Sequence, residues 1–383
     1  MSKWEKVRLG DVCDVRDGTH ESPKYVLQGY PLVTSKNLTN GHIDVSSANY
    51  ISKDDFLKIN CRSCVDDGDI LMPMIGTIGN PIIVAKIFDF AIKNVALIKF
   101  NEVNNVSNKY ILYLLSSNLF QNYIEKENRG GTQKFLSLNI IRDFPFFLPP
   151  LAEQKRIADV LDKASGLIKK RKEQIRLIDQ LAKSLFVEMF GDPVENPMGW
   201  EMKVFSEVAD ITTRMITDFS SYGDLPHIGI ENIEKESGKL VNYQSVKDSL
   251  IISGKYYFDE RHIIYSKIRP NLNKVATPDF TGLCSADAYP ILPNENVVTK
   301  YYLVYMLRSP YFLDYILKHS DRTNIPKANK EQLRGFKMPI PPLCLQKKFA
   351  YRIDAIEKQK ALFETGLEKL EMNYRALMQE YFG

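Results

Sequence analysis

Residues 148–164 read LPPLAEQKRIADVLDKA, and residues 340–356 read IPPLCLQKKFAYRIDAI. The second stretch repeats the first 192 positions later. A period that long indicates a duplicated domain with its connector, since solenoid repeats run about 20 to 50 residues. The repeat extends along the chain. Trp4-Glu5 recurs as Trp200-Glu201, and Val12, Asp14 and Val15 recur as Val208, Asp210 and Ile211. YILYLLSSNLF (Tyr110 to Phe120) aligns with YLVYMLRSPYF (Tyr302 to Phe312), and Phe190-Gly191 with Phe382-Gly383.

In each copy a Pro-Pro pair (149–150, 341–342) marks a break, because proline is excluded from helix interiors and tolerated at a helix start. Beyond it, apolar residues recur in alternating steps of four and three. The first copy places Ile157, Leu161, Ala164, Ile168, Ile175, Ile178, Ala182, Leu185 and Met189, with one gap at Arg171. The second places Phe349, Ile353, Ile356, Phe363, Leu367, Leu370, Tyr374, Leu377 and Tyr381, with its gap at Lys360. Each is a heptad seam. Helices of about 38 residues would run roughly 57 Å, and Gly191 and Gly383 supply C-terminal stops. One such seam could simply face its own domain, but two matched seams favour each other. Residues 192–341 must fit between the end of one helix and the start of the next, so an antiparallel coiled-coil pair with a globular domain at each end is expected.

The predicted architecture is therefore α+β with an internal pseudo-two-fold repeat: domains over 1–148 and 192–340, helices over 149–191 and 341–383. Strand-like runs such as DILMPMIG (69–76) and HIIYSKI (262–268) alternate with helical patches at 110–127 and 301–318. The middles of the two domains diverge while their frames agree, which suggests related tasks on different targets.

At 383 residues, 44% hydrophobic and 26% charged, the composition is that of a soluble globular protein with room for two or three domains. No secretion signal or membrane-length apolar run is visible, so a cytoplasmic location is expected. Five scattered cysteines, Cys13, Cys61, Cys64, Cys284 and Cys344, argue against a disulfide framework. Cys61 and Cys64 form a lone C-x-x-C without the second ligand pair that a structural zinc needs. The net charge of +4 is too small to diagnose nucleic-acid binding by itself.

The repeat, the PPL-x-x-Q segments (Pro149-Pro150-Leu151 with Gln154, Pro341-Pro342-Leu343 with Gln346) and the junction LFVEMFGDPVENPMGWE (Leu185 to Glu201) together resemble the specificity subunit of type I restriction-modification systems. RDGTHESPKY (Arg16 to Tyr25) is similar to the opening of many first recognition domains in that family. The second copy departs from the pattern, with Cys344-Leu345 in place of Ala152-Glu153. The resemblance implies a subunit without catalysis or cofactor. It would read a split, asymmetric site in double-stranded DNA, one half per target-recognition domain. Its helices would dock two modification (methyltransferase) subunits, and restriction subunits would join for cleavage. Half-sites read from one face of DNA lie about 34 to 36 Å apart, a separation that a rigid helical rod could measure.

Enzymatic motifs point elsewhere. GTIGN (Gly76 to Asn80) lacks the spacing of a dinucleotide or methyl-donor loop. Asp192 with Glu201-Met202-Lys203 only loosely imitates a nuclease metal site. Histidines 20, 42, 227, 262 and 319 show no metal-ligand spacing.

DNA contact calls for Arg or Lys on guanine and phosphate, Asn or Gln on adenine, and Ser or Thr on either. The first domain offers Gly18, Thr19, His20 and Lys24; Ser35, Lys36 and Asn37; and Arg129, Thr132, Gln133 and Lys134. The second offers Thr213 and Arg214; Glu231 and Asn232; Lys267, Arg269, Asn271 and Asn273; and Arg322, Thr323, Asn324 and Lys327. The stretches 129–134 and 322–327 follow matching helices and form the best-corresponding pair. KKRK (Lys169 to Lys172) lies mid-helix and reads as a solvated or partner-facing run. A coiled-coil adaptor for proteins, or a self-contained DNA-modifying enzyme, remains the alternative on sequence alone.

Overall fold

In the computed structural model, which describes residues 4–39, 41–75, 79–100, 105–127, 136–249, 251, 253–319 and 326–383, the apolar run Ile70–Pro73 is a strand whose four residues are all buried. It lies in an antiparallel sheet between Val95–Lys99 and Ile82–Ile83, with Asp14–Asp17 on the far side of Val95–Lys99. The run is continuously apolar because both faces are covered. Ile70, Met72, Ala96 and Ile98 face the helices Asn108–Leu115 and Asn118–Glu127. Leu71, Val95 and Leu97 face Val33 and Ile92 of a second sheet. That sheet has the order Ala91–Ile92, Tyr30–Val33, Asn49–Ile51, Tyr25–Val26, its first pair parallel.

The second domain repeats this frame. Ala209–Ile211, Ala288–Pro293, Ile263–Ser266 and Val275–Ala276 form the corresponding sheet, with Ile263 opposite Ile291 as Ile70 is opposite Ile98. The strand pairs Glu5–Arg8 with Pro145–Leu148 and Glu201–Val204 with Lys337–Ile340 also match. The middles differ. The first domain inserts the helix Lys53–Ser63, N-capped by Ser52, whose hydroxyl accepts from Asp55 N–H at 3.1 Å. The second builds a five-stranded sheet from Met215–Ile216, Lys255–Phe258, Gly282–Cys284, Pro226–Ile228 and Gln244–Ser245.

Two helices of 40 residues, Leu151–Phe190 and Leu343–Phe382, begin directly after the Pro-Pro pairs. The chain divides into two units, Met1–Lys172 with Thr365–Gly383, and Glu173–Glu364. Each unit therefore holds one domain and part of both helices. In the first, Ile157 and Leu161 are buried in one core with Phe382, against which Tyr374, Leu377 and Tyr381 pack. In the second, Leu185, Phe186 and Phe190 are buried with Phe349 and Ile353. Within each unit the start of one helix thus meets the end of the other, the antiparallel sense the seams require. Ala164, Ile168, Ile175, Ile178, Ile356, Phe363, Leu367, Leu370 and Leu377 are half-buried. The seams omitted Phe186, Phe190 and Phe382, which are buried because a domain packs over the helix ends.

The glutamine of each PPL-x-x-Q segment has a structural task. Gln154, fully buried, accepts from Ser107 N–H at 2.8 Å and donates to the Pro149 and Asn105 carbonyls at 2.8 and 3.3 Å. Gln346 accepts from Thr299 N–H at 2.8 Å and donates to the Pro341 and Val297 carbonyls at 2.9 and 3.0 Å. Ser107 and Thr299 are the N-caps of the helices Asn108–Leu115 and Lys300–Arg308. Each glutamine therefore staples its long helix to the helix cap of its own domain.

Burial pushes the Cys13 and Cys284 thiols up to about 12, while Cys61 and Cys344 are exposed. Among the described residues, no helix is long and apolar enough to cross a membrane.

Candidate nucleic-acid interface

In the second unit, several loops are knitted together where the parallel strands Pro226–Ile228 and Gly282–Cys284 run out. Lys267 N–H donates to the Asp287 carbonyl at 3.0 Å, and Ala328 N–H to the Lys267 carbonyl at 2.8 Å. Arg269 N–H donates to the Pro326 carbonyl at 2.9 Å, and Lys274 Nζ to the Ile230 carbonyl at 2.7 Å. The sequence clusters around 231, 267–273 and 327 thus form one surface. Glu231, Arg269, Asn271 and Lys327 are exposed on it. Arg269 has φ of 50°, a left-handed conformation that costs a residue with a side chain roughly 1–2 kcal/mol; its N–H bond to Pro326 helps hold it there. Thr213 and Arg214 are exposed, and the Arg214 guanidinium lies 5.0 Å from the Tyr257 ring centroid.

Three candidates in this unit turn inward instead. Asn232 accepts from Gly229 N–H at 2.8 Å and donates to the carbonyls of Val241 and Asn242 at 3.1 and 3.0 Å. Asn273 donates to the Arg308 carbonyl at 3.0 Å. Lys267 donates to the Ala286 carbonyl at 2.6 Å and sits beside Tyr289. Their polar groups satisfy backbone that would otherwise lack partners, so they shape the loops rather than present themselves as readers.

The first unit places matching loops at the same end of its frame. Thr19 N–H donates to the Ile92 carbonyl at 3.0 Å and Lys93 N–H to the Val33 carbonyl at 2.9 Å, which sets Thr19 and His20 beside the turn Ser35–Asn37. Lys36 is exposed and Ser35 half-buried. Leu136 N–H donates to the Met74 carbonyl at 2.9 Å. Arg129, Thr132, Gln133 and Lys134 lie outside the described residues, as do Arg322, Thr323 and Asn324.

Two expectations are corrected here. Asn37 is 3% exposed; its amide accepts from Thr34 N–H at 2.9 Å and donates to the Asp44 carbonyl at 3.0 Å. It is the internal counterpart of Asn232, bracing the same turn. Gly18 is buried, its N–H bonded to the Val95 carbonyl at 3.0 Å, and a Cβ there would run into the Ile92 carbonyl. It is a glycine for close backbone approach. Lys24 is exposed but stands apart: it precedes Tyr25, which pairs with Ile51 as Tyr30 does. That puts it at the far end of Tyr30–Val33 from Ser35.

A cluster that the sequence did not announce lies beside Gly18. The Asp17 side chain is buried. One carboxylate oxygen is 2.7 Å from His20 Nε2, and the Arg62 guanidinium contacts the other. His20 Nδ1 is 2.9 Å from Asn94 Oδ1. Arg62 sits 45 positions from Asp17 on the helix Lys53–Ser63, and nothing in the local sequence joins them.

A family model described as the type I restriction modification DNA specificity domain matches residues 1–177 and 197–372. The chain is similar to the type I restriction enzyme EcoDI specificity subunit of Escherichia coli, 30% identical over 66% of this chain; the match spans 65% of that relative's length. It is similar to the type I restriction enzyme MjaVIII specificity subunit of Methanocaldococcus jannaschii, 24% identical over 98% of this chain and 91% of the relative. Its fold is similar to the crystal structure of a type I restriction-modification system S subunit from M. genitalium. That likeness has a TM-score of 0.59 at 15% identity and covers 100% of this chain and 96% of the other.

Proposed function

This chain belongs to the type I restriction modification DNA specificity family, and from that premise we propose that it is the non-catalytic subunit that selects a split, asymmetric DNA site. Each domain reads one half. The observation that carries this reading is the pair of domains with one frame and different middles, each gathering its polar loops at the same end of its sheets. One frame supports two tasks of one kind, and divergent loops direct them to different sequences, because base-edge contacts made by loop side chains decide specificity.

The long helices serve a second role, docking one modification subunit per unit. Leu167 and Met372 are exposed on the helices of the first unit, and Leu177, Leu181, Tyr351 and Leu362 on those of the second. These exposed apolar side chains on the long helices are what supports a docking role. Methyl transfer and cleavage belong to the modification and restriction subunits, and the assembly acts on DNA in the cytoplasm.

The test is to co-express the chain with its modification subunit in a host lacking other methylation and to sequence the modified positions. A two-part asymmetric motif is expected. A contiguous or palindromic motif, or methyl transfer from labelled donor by the purified chain alone, would refute the reading.

A further inference from the structure

We propose that Lys36 and Glu231 are one reading position in the two domains, Lys36 contacting a guanine of one half-site and Glu231 a cytosine of the other, an inference that rests on the DNA-recognition reading above. Each is the middle residue of a 3-10 turn, Ser35–Asn37 or Ile230–Asn232. Each turn follows a strand of a parallel pair, with Val33 beside Ile92 and Ile228 beside Cys284. The bonds that fix the two turns correspond. Thr34 N–H and Gly229 N–H donate to Oδ1 of Asn37 and Asn232 at 2.9 and 2.8 Å. Asn37 N–H and Asn232 N–H donate back to the Thr34 and Gly229 carbonyls at 2.9 and 3.1 Å. The Asn37 and Asn232 carbonyls accept from Asp44 N–H and Val241 N–H at 2.8 and 2.9 Å. In sequence, TSKN (34–37) and GIEN (229–232) share only that asparagine.

The backbone thus presents the middle residue at the same place in both frames, exposed in each, while the charge offered there is reversed. In the major groove guanine offers the acceptors O6 and N7 to a lysine, and cytosine offers its N4 amino donor to a carboxylate. Neither contact needs a side chain fixed in one plane, because an ammonium has three rotatable donors and a carboxylate accepts on either oxygen. The sign of the charge makes the choice. A phosphate contact would explain a lysine here but not a glutamate in the same position, since the DNA backbone repels a carboxylate. The second turn also makes room for its acid: where the first has Thr34 it has Gly229, and a Cβ there would collide with the Glu231 carboxylate. Arg269 and Lys327, exposed on the same surface as Glu231, supply the attraction to phosphate that a glutamate lacks.

The experiment uses the full chain with its modification subunit and maps methylation on a plasmid library randomised across the wild-type motif. That motif should hold a G·C pair in each half, and a half without one overturns the proposal. Lys36→Ala should lower the preference for guanine about 5- to 150-fold at one position of one half, and Glu231→Ala the preference for cytosine by as much at one position of the other. Exchanging the charges is the sharper test. Lys36→Glu should turn its position from G·C towards C·G, and Glu231→Lys should do the reverse at its own, with the spacer and the remaining positions unchanged. Where a swapped charge abolishes methylation the alanine variants decide, and where an alanine variant yields no complex Lys36→Met or Glu231→Met takes its place with the same expected loss. An unchanged motif in these variants overturns the proposal. So does an even change over all sequences: a uniform loss in Lys36→Ala marks a phosphate contact, and a uniform gain in Glu231→Ala marks repulsion of the DNA backbone. A wild-type complex without any two-part motif overturns the parent reading, which keeps the two failures apart.

Discussion

The Lys360 ammonium lies 2.6 Å from a carboxylate oxygen of Asp179 on the other long helix of the same unit. Lys360 is the one polar interruption in the second seam, and the pair accounts for it: a lysine side chain only 15% exposed needs an opposite charge when it sits among apolar neighbours. The first seam's interruption is handled differently. The Arg171 guanidinium occupies the space over Gly366, where a Cβ would collide with it.

Lys360→Ala should lower stability by about 0.5–1 kcal/mol, since Asp179 remains half-exposed and its partner's loss is partly made good by water. The check is a double-mutant cycle with Asp179→Ala by denaturant unfolding at low and high salt. A coupling that does not shrink with salt would contradict this account.

Removing either stapling glutamine should cost more. Gln154→Ala or Gln346→Ala strands a buried N–H and buried carbonyls, at about 1–3 kcal/mol each. Thermal unfolding of the full chain measures it, and the two losses should be alike because the two sites use equivalent partners.

Asn37 and Arg269 should separate structure from reading. Asn37→Ala removes the buried brace of the turn Ser35–Asn37 and should destabilise by about 1–3 kcal/mol with the methylated motif unaltered. Arg269→Ala, on an exposed loop, should leave the unfolding midpoint nearly unchanged and relax one position of the second domain's half-site or weaken binding at all sequences. Unfolding curves and methylation maps of both variants test this together.

Acid should find a weak point at the turn before Ile263. Hydrogen bonds from Arg261, and then His262, hold the Asp259 carboxyl well below the usual carboxylate range. A depressed folded pKa stabilises the protein above the unfolded carboxylate value of about 4, and that contribution is lost as pH falls below it towards the folded pKa. Asp259→Asn should therefore reduce stability at pH 7 and flatten its decline below pH 4, measured by thermal unfolding across that range.

The duplication, the breaks at the Pro-Pro pairs and both long helices were legible from the residues alone, because each is carried by spacing along the chain: a proline stops a helix wherever it stands, and a step of three and four makes one face whatever it meets. The apolar run within 69–76 likewise announced a strand, and the fold added that both of its faces are covered. The loops that gather at the end of each frame were partly legible, as polar clusters at corresponding places in the two copies.

Tertiary structure decided what those polar residues do. Asn37, Asn232 and Asn273 have the composition of base readers, yet they bind backbone that reaches them across 3 to 35 positions, while Arg62, unremarked in its helix, is brought to Asp17 and the surface. A side chain is available to a partner only if the folded chain has not already claimed its donors and acceptors. That depends on which distant backbone groups the fold leaves without partners, which no local spacing records.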